Sequence, residues 1–168
     1  MSRVLINHFS AALEAAYRTD PFHAFRKNLD SATPEEWDVR PSDWSRDEFG
    51  DHPELTICDL AFHVGGGLVM YANRAFGDAT MGWGDIATAQ SREKAMVLAW
   101  LDEVQAAFAA GLAALGDDAE LSELRPAPWG TPMARTQLIG LMPNHLVYHS
   151  GEVNRQRALI RGSSGWDR

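Results

Sequence analysis

The 168-residue chain has a single cysteine, Cys58, which excludes an internal disulfide and a thiolate-rich metal site. A site built from imidazole and oxygen ligands stays open. No stretch reaches the eighteen or so consecutive apolar residues that a membrane span requires, and no motif recurs at a fixed period. Basic residues are also in deficit: 15 Lys and Arg stand against 23 Asp and Glu, for a formal net charge of -8. A protein that tracks a phosphate backbone needs a basic face, so nucleic acid is not an expected partner. The N-terminal residues MSRVLINHFSAALEAAY interrupt their apolar positions with His8 and Glu14 and offer no small-residue cleavage site. They predict an unexported, cytoplasmic protein with no membrane partner.

What is present is ordinary for one globule. Apolar residues make up 45% and charged residues 23%, enough for one core and too apolar for a disordered chain, so a single domain over residues 1–168 is expected. The recurring pattern is helical. Leu5, His8, Phe9, Ala12, Ala15 and Ala16 share one face of a first helix from about Ser2 to Arg18, which Asp20-Pro21 breaks before a short extension through Leu29. Thr33-Pro34-Glu35-Glu36 combines an N-cap, a proline at the first helical position and a capping-box glutamate. Pro41 stops that turn. Between Asp30 and Glu54 nine acidic residues face only Arg40 and Arg46, a long acidic loop that Trp37, Trp44 and Phe49 are expected to pin to the body.

Thr56 with Asp59 caps a second helix whose face carries Leu60, His63, Val64, Gly67, Tyr71 and Ala75, with Gly77 as its end. Ser91 is the expected cap of a third, with Val97, Trp100, Leu101, Val104, Phe108, Leu112 and Leu115 on its stripe and Gly116 at its end. A last helix is expected from about Pro132 to Arg161, kinked at Pro143 and stopped by Gly162. Four long helices and no strand alternation predict an all-α four-helix bundle, most simply antiparallel, with a long crossover loop between helices one and two.

Within that bundle His145 and His149 are one turn apart, about 40° around the axis. Leu138, Leu141, Met142, Leu159 and Ile160 surround the pair on the same wheel, so both imidazoles sit in the core-facing stripe. Two buried imidazoles need polar partners where few exist, and one divalent cation satisfies both, whereas a lone histidine there would be a packed core residue. The spacing is that of H-E-x-x-H, but Leu146 stands where the peptidase base belongs. His63, on the stripe of helix two, faces the last helix. Three histidines leave a coordination position open, as in catalytic rather than closed structural sites.

His8 also lies on a core-facing stripe and fits packing or a partly exposed helix end better than ligation. His23 and His52 have no convergent partners. Glu152, one turn past His149, is the candidate catalytic acid or base, an outer partner of a ligand, or an ordinary solvated glutamate. Asp59, one turn before His63, is either an acceptor that fixes a ligand tautomer or simply a helix-start carboxylate. The Gly65-Gly66-Gly67 run lacks the phosphate-loop pattern and marks either close approach of a neighbour or a local break of helix two.

The segments Leu55-Thr56-Ile57-Cys58-Asp59-Leu60-Ala61-Phe62-His63 and His145-Leu146-Val147-Tyr148-His149-Ser150-Gly151-Glu152, with Thr33-Pro34-Glu35-Glu36-Trp37 and Arg40-Pro41 before them, resemble the DinB-like superfamily of metalloenzymes. That superfamily includes thiol-dependent S-transferases and mycothiol-dependent maleylpyruvate isomerases. The resemblance spans nearly the whole chain and implies a four-helix bundle with a long first crossover. It implies a divalent metal ion, zinc or nickel, on His63, His145 and His149, and a small-molecule substrate with a low-molecular-weight thiol. A homodimer is expected from the resemblance and from six tryptophans, more than one small core readily hides. The family often has glutamine at the position of Glu152. The leading function is an enzyme in which the metal activates a thiol or water, S-transferase-like with hydrolysis as the generic alternative. A non-catalytic bundle that binds metal or a small ligand, and a metal-free bundle with packed histidines, are the other readings.

Overall fold

Local capping chemistry decides where the helices begin and end in the computed structural model, which describes residues 2–40 and 56–163. Helix α1 (Val4–Glu14) widens into a π-helical turn over Ala15–Thr19. It stops where the Asp20 carboxylate accepts the backbone N–H groups of Phe22 (2.8 Å) and His23 (2.6 Å). Two short helices follow, α2 (Phe25–Asp30) and α3 (Pro34–Trp37), the latter opened by Pro34 and by the Thr33 N–H donating to Glu36 Oε2 at 2.8 Å. Trp37 is buried, and its Nε1–H donates to the Arg92 carbonyl at 2.8 Å. The rest of the acidic stretch invoked above, with Pro41, Trp44, Arg46, Phe49, His52 and Glu54, lies outside the described residues.

Helix α4 (Ile57–Phe76) starts as expected. The Thr56 N–H donates to Asp59 Oδ2 (2.9 Å) while Asp59 N–H donates to the Thr56 hydroxyl (3.1 Å). Helix α5 (Lys94–Ala113) starts later than a Ser91 cap would place it: Ser91 Oγ accepts from Glu93 N at 3.0 Å in the turn ahead, and Glu93 is the N-cap. Its length and hydropathy would allow a membrane span, but it contributes Val97, Leu101, Phe108 and Leu112 to the core, as a central bundle helix does.

The expected start of the last helix is corrected by a small hairpin. Leu124–Pro126 (β1) pairs antiparallel with Pro132–Ala134 (β2), Arg125 opposite Met133, and helix α6 (Arg135–Arg161) begins only after it. Pro126 and Pro132 face each other at the loop end of the hairpin, and they are tolerated because a strand end on an edge needs no N–H. Pro143 lies inside α6 without ending it, and Gly162 terminates it at φ 67°, a left-handed value suited to glycine.

The molecule is an all-α helical bundle in which α1 packs on α5 and α6, and α4 packs on the same two helices. Directions follow from the contacts. Gly65 lies against Trp100 and Gly111 against Phe76, so α4 and α5 run the same way. Arg135 Nε donates to Ala75 O (2.9 Å), and His63 faces His145, so α6 runs opposite to α4. Tyr17 donates to Asp102 (2.7 Å) and Arg3 to Ala113 O (3.1 Å), which sets α1 antiparallel to α5. The order is therefore up-down-down-up. The simple antiparallel arrangement fails at two interfaces, α4 with α5 and α1 with α6, and at the first of them residues 77–93 must return along the bundle between consecutive parallel helices. The link from α1 to α4 joins diagonal members of the ring.

The α1 face is rotated by one residue from the expected one. Ile6, Leu13, Ala16 and Tyr17 are buried, whereas Leu5 is 49% exposed. The face with the branched and aromatic side chains buries more area than one built on alanines, and it takes the core.

Candidate metal centre

His63 projects from the second turn of α4, and His145 and His149 from one face of α6. Because α4 and α6 are antiparallel neighbours, the three rings meet. Their centroids are 4.9 Å apart for His63 and His145, 4.8 Å for His63 and His149, and 4.3 Å for His145 and His149. One ring nitrogen from each lies within 4.8 Å of the other two, and His63 Nε2 is 3.0 Å from His145 Nε2. Burial is graded across the cluster: His149 is buried, His145 half-buried and His63 exposed. The cluster therefore opens to solvent on the α4 side.

The glycine run of α4 explains how the rings come so close. Successive helical residues point about 100° apart, so three glycines present bare backbone in three directions. A Cβ at Gly65 would overlap the Trp100 ring, one at Gly66 would lie 3.3 Å from Trp83 Cζ3, and one at Gly67 would lie 3.1 Å from His145 Cε1. The helix is continuous through all three, which settles the two alternatives in favour of close approach. Gly67 is the seat of a site residue.

Electrostatics favour the neutral form of His63 and His145. Burial, and then the neighbouring His149, hold His63 below the usual histidine value. Burial, with His149 and His63 adding to it, pushes His145 down to about 3. The Glu152 carboxylate accepts from His149 Nδ1 at 2.5 Å. Burial alone would raise Glu152, but the bond to His149 outweighs it and holds the carboxyl below its usual range. With Nδ1 committed, Nε2 is the nitrogen that His149 has free for the cluster. Gly151 does not distort α6, which continues to Arg161.

The remaining candidates lie elsewhere. His8 is exposed, its ring 5.9 Å from Phe9, because the rotated α1 face turns it away from the core. His23 is exposed beside Asp20 at 3.2 Å. Asp59 serves the start of α4: its carboxylate accepts from Thr56 and, at 2.9 Å, from the Arg92 guanidinium. Those bonds make it the helix-start carboxylate rather than a partner of His63. Two aromatic neighbours had no periodic signal to reveal them. Trp83 stacks on His63 with planes 10° apart and centroids 6.4 Å apart, and Tyr148 stands edge-on to His149 at 5.0 Å. Trp83 belongs to an irregular link, and Tyr148 points off the apolar stripe of its helix.

The donor set fits a divalent ion. Nitrogens bound to one tetrahedral ion at about 2.0–2.1 Å stand about 3.3 Å apart, close to the His63–His145 separation, and the carboxylate–histidine pair is the usual support of a metal ligand. His145 Nδ1 is buried with no hydrogen-bond partner among the described residues, so packing and hydrogen bonding alone leave this cluster incompletely satisfied. Comparison with known families agrees with the geometry. The DinB superfamily profile matches residues 19–153, and the chain belongs to that superfamily. No curated protein and no solved structure matches it.

Proposed function

We propose that this DinB-superfamily chain holds a divalent ion, zinc or nickel, on His63, His145 and His149 and uses it in a thiol-transfer reaction on a small molecule. The observation that carries the reading is the convergence of three imidazoles from two helices, with their exposed side open to a ligand. A divalent ion in such a site supplies Lewis acidity that makes a thiol or water nucleophilic near neutral pH.

The protein's own groups prepare that chemistry. His63 and His145 are held in the neutral form that coordination requires. Glu152 fixes the orientation and tautomer of His149, and because one of its oxygens is committed to that ring we assign it to positioning rather than to free proton transfer. Gly67 leaves the room in which the His145 ring sits. Chain prepared without a histidine tag and titrated with zinc or nickel should bind one ion. Loss of that stoichiometry on His63→Ala supports the reading, and an unchanged isotherm in this variant would end it.

A further inference from the structure

We propose that Trp83 is the stacking surface for the substrate, and that the substrate of this site carries a planar conjugated group. The inference rests on the metal-site reading for where the reacting atom sits; the placement of Trp83 does not.

The indole is held in place by a built link. Before it, Asn73 Oδ1 accepts from Met81 N (3.1 Å) and Arg74 donates to Met81 O (2.6 Å), tying the link to the end of α4. Around it, Gly82 N donates to Asp85 Oδ2 (2.8 Å), closing the short turn Trp83–Asp85. Beneath it, Gly66 presents bare backbone, and a Cβ there would stand 3.3 Å from Trp83 Cζ3. Glycine inside a helix costs stability relative to alanine, and at Gly66 that cost seats an indole.

Burial is not what the seating achieves. Trp83 remains 54% exposed, whereas Trp37, a packing tryptophan, is 5% exposed. The ring lies parallel to exposed His63, yet their centroids are 6.4 Å apart. Touching aromatic planes are separated by about 3.5 Å, so the two rings are not in full face-to-face contact and the imidazole does not cover the indole face beside it. A ligand atom bound next to His63 places its adjoining atoms along that face. Tyr148, 64% exposed and edge-on to His149, is a second exposed aromatic beside the cluster. Stacked conjugated groups gain more there than aliphatic groups of equal area.

The test compares 2-phenylethanethiol with 2-cyclohexylethanethiol, alike in size and close in thiol acidity but not in planarity, on zinc-loaded chain by calorimetry. Parent protein should prefer the phenyl compound about fivefold. Trp83→Phe should retain most of the preference and Trp83→Ala should abolish it. A purely structural role for Trp83 would weaken both thiols together and leave their ratio unchanged, and an unchanged ratio would overturn the proposal. If the parent takes up neither zinc nor nickel, the metal reading fails separately. Stacking is then read on metal-free chain by the NMR signal of the Trp83 indole N–H, assigned by its absence from Trp83→Phe. Phenylmethanol should move it and cyclohexylmethanol should not; no difference between the two would overturn the proposal as well.

Discussion

Helix α6 carries two polar clusters about two turns apart, and they are built on opposite plans. Near its C-terminal end Arg157 donates to Glu36 Oε2 at 3.2 Å and Arg161 donates to Glu36 Oε1, while the Thr33 N–H completes the carboxylate's partners. Glu36 is 3% exposed, and its charge is fully answered. In the middle of the helix His145 meets His63 and His149, like partners rather than complementary ones, only His149 has a carboxylate, Glu152, and His145 Nδ1 has no partner among the described residues. A structural cluster satisfies itself, whereas a binding cluster leaves capacity for something absent. The two should therefore respond to substitution with opposite signs in stability and in metal affinity.

The largest effect is expected from His145→Leu. It removes a ligand and a buried unpartnered nitrogen together, so metal affinity should fall by more than about 100-fold, beyond what outer partners contribute. Metal-free stability in urea should rise by about 1 kcal/mol. A variant that lost stability as heavily as metal would erase the contrast between the clusters. Glu36→Ala should behave in the reverse sense, losing about 2 kcal/mol, less than a fully buried pair because Arg161 is partly exposed, with metal stoichiometry intact.

The pH dependence of the Glu36 cluster sharpens the same point. Burial would raise Glu36, but the Thr33 N–H, Arg161 and Arg157 outweigh it and hold its carboxyl below the usual range. The folded value lies under the unfolded one, so this stabilisation is complete above about pH 4.3, the value of a free glutamate, and is lost as pH falls through the folded value. The stability gap between parent and Glu36→Gln should accordingly narrow between pH 6 and pH 3. A smaller effect is expected from Glu152→Gln, which keeps an acceptor for His149 but removes its charge. Metal affinity should drop about tenfold, and no change in a zinc competition assay would return Glu152 to an ordinary helix carboxylate. The smallest is Gly67→Ala. The gain in helix propensity, about 1 kcal/mol, offsets the displacement of His145, so the melting temperature should hold while metal affinity falls a few-fold.

Much of the fold and of the site is legible in the sequence. The reciprocal Thr56–Asp59 cap fixed the start of α4 and with it the direction of His63, and the one-turn spacing of His145 and His149 needed only the helical period. Where the reading slipped, a short-range rule was outweighed by volume or topology. The α1 face moved from Leu5 to Ile6 because a face with Leu13 and Tyr17 buries more than one with alanines. The hairpin at residues 124–134 has three-residue strands, too short to alternate. The parallel course of α4 and α5 depends on where the returning link lies, which periodicity does not encode. Trp83 sits on that link, so the residue stacked on His63 was hidden for the same reason.

The three glycines of α4 also bear on how the helix opens. Gly65, Gly66 and Gly67 carry no side chains to shield their own amides, and their cover comes from Trp100, Trp83 and His145 on three different elements. Hydrogen exchange at these amides reports on whether each aromatic is in its seat. Brief departure of Trp83 from the surface link exposes Gly66 alone, whereas exposure of Gly65 requires α5 to separate from α4. The middle of one helix thereby exchanges on separate timescales at adjacent residues, fastest at the position beside the open mouth.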